Sequence, residues 1–140
     1  MRCAIDITKV NAMNWQDILG WGADELEDLR VVGYSYIKQG IYDVALIFFD
    51  AVAVLDTPTS YDLQTLGALH LQMGDGLKAL DYLDQSLKSE PAHPQTLLNR
   101  AKALLLLGYK RQGLLQAMEL ETSSDPAIAA EASALILSYS

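Results

Sequence analysis

An all-α fold of three stacked helix–turn–helix units is what this 140-residue sequence predicts. Three observations carry that expectation. Glycine recurs every 34 residues, at Gly40, Gly74 and Gly108. Two columns of small residues keep the same spacing: Gly33, Gly67 and Ala101, then Ala45, Ala79 and Gly113, each of the latter followed by a leucine. Leu29, Leu63 and Leu97 share the register. A fixed period of this length marks a repeat array whose unit is a single supersecondary element.

Each column has a physical reason. Gly40, Gly74 and Gly108 end the first helix of each pair, where a left-handed residue is needed and glycine carries no penalty. The small residues let paired helices approach closely, and Tyr36, Phe49, Leu83 and Leu104 fill the space around them. Before the repeats, residues 1–13 show no helical period and read as an arm. Asn14 can cap a short helix from Trp15, with Asp17 near its positive end, until Gly20 and Gly22 interrupt it. The first pair is expected over Leu26–Gln39 and Tyr42–Leu55, closed by Pro58. The second spans Tyr61–Met73 and Leu77–Ser89, closed by Pro91. The third spans Gln95–Leu107 and Lys110–Glu121. Asp125 and Pro126 then start a last helix, with aspartate as cap and proline in the first turn. The expected organisation is an arm and short helix over 1–25, repeats at 26–59, 60–93 and 94–125, and a capping helix over 126–140.

The order of small residue, large apolar residue, turn glycine and alanine, over roughly Leu26–Asp125, resembles the tetratricopeptide repeat (TPR). The resemblance implies three tandem TPR repeats in a right-handed superhelical stack, with a short N-terminal helix and a C-terminal capping helix. Such stacks curve into a groove lined mainly by the first helix of each pair.

Composition narrows the function. Ten basic against eighteen acidic residues give a net charge of −8, which argues against nucleic acid and against an anionic membrane surface. Hydrophobic residues make up 51%, consistent with a deep core or an apolar surface kept for a partner. The longest apolar run, Ala103–Gly108, is far too short to span a membrane. The start, MRCAIDITKV, is not a secretory signal, and the lone Cys3 permits no internal disulfide. A cytoplasmic protein without membrane insertion is expected.

No chemistry stands out. The MGDG stretch at Met73–Gly76 lacks the spacing and the preceding strand of a phosphate loop, so it reads as a turn. His70 falls where a bulky core residue belongs, and His93 sits between Pro91 and Pro94, placed to cap the next helix. Neither joins a set of metal ligands. The acidic run Asp24, Glu25, Glu27 and Asp28 suits the first turn of a helix. No catalytic residue, metal site or cofactor is expected, and the protein is not read as an enzyme.

The register places candidate binding residues in the groove. The first repeat offers Arg30, Tyr34 and Ile37, beside Glu27 and Lys38. The second offers Tyr61, Gln64, Ala68 and Leu71, beside Thr65 and Gln72. The third offers Leu98, Asn99, Lys102 and Leu105, beside Gln95 and Leu106. Apolar and amide side chains with few charges suit an apolar or amphipathic peptide. Tyr61, Leu71, Leu98 and Leu105 are the expected apolar anchors. Leu71 and Leu105 should reach solvent, so that glutamate at both would abolish binding and spare the fold. One TPR subfamily clamps acidic chain ends of heat-shock chaperones with lysine and asparagine. Tyr34 and Ala68 occupy two of those positions here, and Asn99 with Lys102 alone does not make that clamp.

The segment DILGWGADELEDLRVVGYSYIKQGIYDVALIFFDAVAVLD goes further. Its short helix, acidic–leucine start, Tyr36-x-x-x-Gly40-x-Tyr42, Ala45-x-x-x-Phe49 and Leu55-Asp56 resemble the small TPR chaperones of bacterial type III secretion. That resemblance implies a groove that shields an apolar segment of a secreted subunit before export. In one branch the client is a translocator. In the other it is a needle subunit, held together with a small helical co-chaperone. The start of the chain is similar to the translocator branch, and TSSDPAIA (Thr122–Ala129) is similar to the needle branch. Residues 1–25 are a candidate homodimer contact. The competing expectation is a generic TPR adaptor bridging two stable proteins, which should be well behaved when expressed alone.

Overall fold

The computed structural model describes Gly20 and residues 22–140. The expected helix after Asn14, Cys3 and most of the candidate dimer contact lie outside the described residues. Seven helices follow in order: α1 (Ala23–Lys38), α2 (Tyr42–Leu55), α3 (Ser60–Gln72), α4 (Gly76–Ser89), α5 (Pro94–Leu106), α6 (Lys110–Leu120) and α7 (Pro126–Tyr139). The described residues form no strand.

The starts of the helices are chemically marked. Glu25 accepts a hydrogen bond from the Gly22 backbone N–H at 2.9 Å, which opens α1 three residues earlier than the sequence suggests. Thr59 caps α3 by accepting from the Asp62 N–H at 3.1 Å, and Asp62 accepts from the Thr59 N–H at 3.0 Å, a reciprocal capping box. The Asp75 carboxylate caps α4, the His93 ring caps α5 and Asp125 caps α7, the last two with proline in the first turn.

The three turns inside the pairs share one mechanism. Gly40, Gly74 and Gly108 have φ of 76°, 80° and 89°. At the first, the Gly40 N–H donates to the Ile37 carbonyl and the Ile41 N–H to the Tyr36 carbonyl, both at 2.9 Å. The same two bonds recur at Gly74 with Asp75 and at Gly108 with Tyr109. This is the Schellman motif, which satisfies the last carbonyls of each first helix and sends the chain back along it.

Packing explains the small columns. A Cβ on Gly33 would lie 2.7 Å from Phe49 Cε2, and one on Gly67 would lie 2.6 Å from Leu83 Cδ2. In the first two pairs the first helix therefore rests its glycine on a large side chain of the second, whereas in the third pair the glycine, Gly113, is on the second helix and meets Leu105 of the first. Phe49, Leu66 and Leu69 bury together with Ala45, which joins the first pair to the second. Leu83, Ala79 and Ala103 join the second to the third. Helix α7 closes the array: Ile128 and Ala132 pack on Leu98 and Leu120.

Candidate binding groove

A groove of about 460 Å³ opens on the side lined by α1, α3 and α5. Its floor combines Tyr34, Ile37, Tyr61, Ala68 and Leu69 with the polar Gln64, Thr65, Gln72, Gln95 and Asn99. Among the described residues no aspartate, glutamate, lysine or arginine lines it.

The tyrosines are held in place. The Tyr34 ring meets Phe49 edge-on at 5.1 Å and lies 5.5 Å from Tyr61. The Thr65 hydroxyl donates to the Tyr61 carbonyl at 2.9 Å, which leaves its oxygen to accept from the Tyr34 hydroxyl at 3.2 Å. Burial pushes the Tyr34 phenol well above its ordinary value, so it stays neutral and works as a donor. The groove thus presents rigid aromatic area with oriented polar tips, an arrangement suited to apolar anchors at small entropic cost.

Sequence-derived candidates fall into two sets. Tyr34, Ile37, Tyr61, Gln64, Ala68 and Asn99 come together around the groove. The others do not line it. Arg30 is engaged with the neighbouring repeat: its Nε and Nη2 each donate to the Asp62 carboxylate at 2.9 Å, a bidentate pair whose carboxylate is fully buried. Burial opposes ionisation of Asp62. The Arg30 guanidinium and the Thr59 N–H and hydroxyl outweigh it and hold the carboxyl below its ordinary range.

Lys102 reaches outward to Glu131 of α7 at 3.1 Å. Leu98 and Leu105 correct the sequence reading, being only 0% and 5% exposed. Leu98 lies under α7, packed with Ile128 and Ala132. Leu105 fills the space above Gly113, whose Cβ would lie 2.6 Å from Leu105 Cγ. Leu71 is half-buried against the cluster of Ala79, Leu83 and Ala103. Leu71 and Leu105 are therefore packing residues of their own pairs, and glutamate at Leu105 would enter the core rather than the groove.

Four lining residues escaped the sequence reading: Tyr42, Leu69, His93 and Thr96. Tyr42 is a large residue where the second repeat has Gly76, a departure visible in the register. His93 and Thr96 are the cap and third residue of α5, joined through Nδ1 and Oγ1 at 2.8 Å, and cap residues carry no groove signal of their own. His70 is a buried ring stacked 5.4 Å from Tyr82. Among the described residues no three His, Cys, Asp or Glu side chains gather as metal ligands, and no helix is long and apolar enough to cross a membrane.

Paired helices, Schellman turns and an uncharged groove along the first helices define a TPR-like repeat scaffold. In fold this scaffold resembles the translocator chaperones of type III secretion. It is similar to PcrH from Pseudomonas aeruginosa in complex with the chaperone-binding region of PopD: 26% identity, a TM-score of 0.70, 86% of this chain and 94% of that one. PcrH with the chaperone-binding region of PopB matches at 27% identity and a TM-score of 0.68, over 83% of this chain and 98% of that one. Yersinia enterocolitica SycD in complex with a peptide of the translocator YopD matches at 25% identity and a TM-score of 0.71, over 84% and 94%. No protein-family model and no curated protein sequence matches the chain.

Proposed function

We propose that this chain is a cytoplasmic type III secretion chaperone that holds an apolar segment of a secreted translocator in its groove before export. The observation that carries the reading is the uncharged, tyrosine-lined groove on the first-helix face of a fold shared with PcrH bound to a PopD segment. The work is done by binding alone, without catalysis. A client that inserts into membranes or polymerises must hide its apolar segment until export. Covering it lowers the concentration of assembly-competent client by mass action. On this reading the client is a translocator rather than a needle subunit, and no helical co-chaperone is needed.

Co-purification with candidate translocator and needle subunits tests it. The translocator is expected to co-purify with the wild-type chain. Ala68→Glu is expected to lose it, because apolar client groups would meet a desolvated charge, while the thermal melt stays unchanged. Retained binding by Ala68→Glu, or capture of the needle subunit alone, overturns the reading. A chain equally soluble with and without the translocator favours the adaptor instead.

A further inference from the structure

Helix α5 is capped by a histidine, which is not among the residues that usually cap helices. His93 Nδ1 accepts from the Thr96 backbone N–H at 3.3 Å and lies 2.8 Å from Thr96 Oγ1. A ring nitrogen that accepts from a backbone N–H carries no proton of its own, so the neutral ring holds its proton on Nε2. The cap matters because Thr96 is only 1% exposed, and water does not replace a lost acceptor there.

The same half-buried ring lines the groove, beside Gln95, Thr96 and Asn99 of its own helix. Its Nε2 has no hydrogen-bond partner among the described residues. The neutral ring therefore offers the groove an N–H donor without charge, suited to a main-chain carbonyl of a bound segment.

Histidine is the side chain whose charge changes between about pH 5 and 8. The other titratable lining residues are Tyr34, Tyr42 and Tyr61, and phenols do not change charge in that range. Protonation at Nδ1 would set two donors against each other. The Thr96 hydroxyl can turn to accept from the ring, but the Thr96 N–H is left without a partner. A positive charge would also enter a groove that holds none among the described residues.

The surroundings pull both ways. The Glu90 carbonyl accepts from the His93 N–H at 3.4 Å, and its carboxylate accepts from Gln64 Nε2 of the groove at 3.5 Å, which favours a charged ring. The cap favours the neutral one. Lys88, two residues before Glu90, is exposed and makes no salt bridge among the described residues. Arg30, Arg100 and Lys102 are paired with Asp62, Asp84 and Glu131. His70, the other histidine, is buried on Tyr82 and does not line the groove.

We propose that His93 is both a client contact and the pH-sensitive element of the groove. The neutral ring caps α5 and donates to the client. The protonated ring gives up the cap and brings charge among apolar client groups, so the hold on the client weakens as pH falls. The client contact rests on the groove reading proposed above, whereas the loss of the cap belongs to the free chain.

Two measurements on the full chain test this. An NMR titration from about pH 8 to 5 is expected to show the Nε2–H tautomer first, then a fall in the Thr96 amide protection factor in step with protonation of the His93 ring. His93→Asn supplies a good cap that takes no proton and should keep the Thr96 amide protected throughout. The second measurement uses a labelled, end-capped synthetic peptide of leucine, serine and glutamine, which has no ionisable group. Its affinity for the wild-type chain should fall about threefold to tenfold across the same range, and its affinity for His93→Asn should stay flat. Ala68→Glu should lose the peptide at every pH. An Nδ1–H tautomer, a Thr96 amide indifferent to the His93 titration, or an equal pH response in His93→Asn overturns the proposal. A peptide bound at no pH, or retained by Ala68→Glu, overturns the client contact along with the groove reading, and the Thr96 amide alone then decides the cap.

Discussion

The first and third repeats carry the same register but opposite surfaces. Ile37 lines the groove, whereas Leu105, two periods later, is core. Tyr34 lines it, whereas Lys102 reaches across to α7. Arg30, Gln64 and Leu98 form one column with three fates: an ion pair with the next repeat, a groove wall, and a residue sealed under Ile128 and Ala132. A repeat register fixes the direction in which a side chain points. What meets it there is decided by the neighbour that follows, and after the third repeat that neighbour is an apolar helix instead of another repeat.

The sharpest way to break this comparison is a charge at its two ends. Leu105→Glu would bury an unpaired carboxylate where Leu105 now packs on Gly113. A loss of about 3–5 kcal/mol is expected, enough to collapse a marginally stable fold. Gln64→Glu, in the open part of the groove, should leave the melt near wild type and abolish client binding. A normal melt for Leu105→Glu would return that residue to the groove.

Next in size is the ion pair between the first two repeats. Arg30→Ala leaves the Asp62 carboxylate buried without its bidentate partner and should cost about 3 kcal/mol. The pair also sets a pH dependence. Asp62 is held below its ordinary value in the folded chain. Its contribution is therefore complete above the ordinary aspartate value of about 3.9, and is lost as pH falls below that toward the depressed native value. Denaturation midpoints measured across that range should fall on acidification. The slope should flatten in Asp62→Asn, and an equally steep slope there would assign the acid sensitivity to other carboxylates.

Much of this architecture was legible because glycine and alanine leave few alternatives. Three glycines at one spacing demanded three left-handed turns, and Asp125–Pro126 announced α7. The groove was legible in the first two repeats, at Tyr34, Tyr61, Gln64 and Ala68, because each first helix there faces another first helix. It failed at Leu98 because α7 carries no repeat register from which its packing could be inferred. It failed at Leu71 and Leu105 for a reason that was available: the small column Ala45, Ala79 and Gly113 requires a large residue above it. Ile37, Leu71 and Leu105 are that residue in the three pairs. The Arg30–Asp62 pair stayed hidden because Asp62 read as an ordinary residue of a helical first turn.

A smaller effect sharpens the role of close approach inside the second repeat. Gly67→Leu would place its Cβ 2.7 Å from Leu83 Cγ, a branch point that cannot swing away like a side-chain tip. The helices α3 and α4 must separate, at a cost of about 1–3 kcal/mol. Because Ala68 and Gln64 ride on the same helix, the groove should widen and client affinity should fall with stability. A thermal melt beside a binding titration checks both, and an unchanged melt would show that Leu83 can repack.

The smallest effect concerns what holds α7 over the third repeat. Two contacts compete for that role: the Lys102–Glu131 ion pair, and the burial of Ile128 and Ala132 on Leu98 and Leu120. The ion pair is exposed, with side chains 34% and 53% accessible, so solvent and salt screen it. Exposed pairs of this kind contribute under about 1 kcal/mol. The apolar contact removes several side chains from water, each worth about 1.5–3 kcal/mol when fully buried. Lys102→Ala should therefore leave the melting curve nearly unchanged and insensitive to added salt, whereas Ile128→Ala should lower it clearly. If Lys102→Ala frees α7 to proteolysis while Ile128→Ala does not, the cap is electrostatic, and the closed state of the third repeat is open to control by ionic strength.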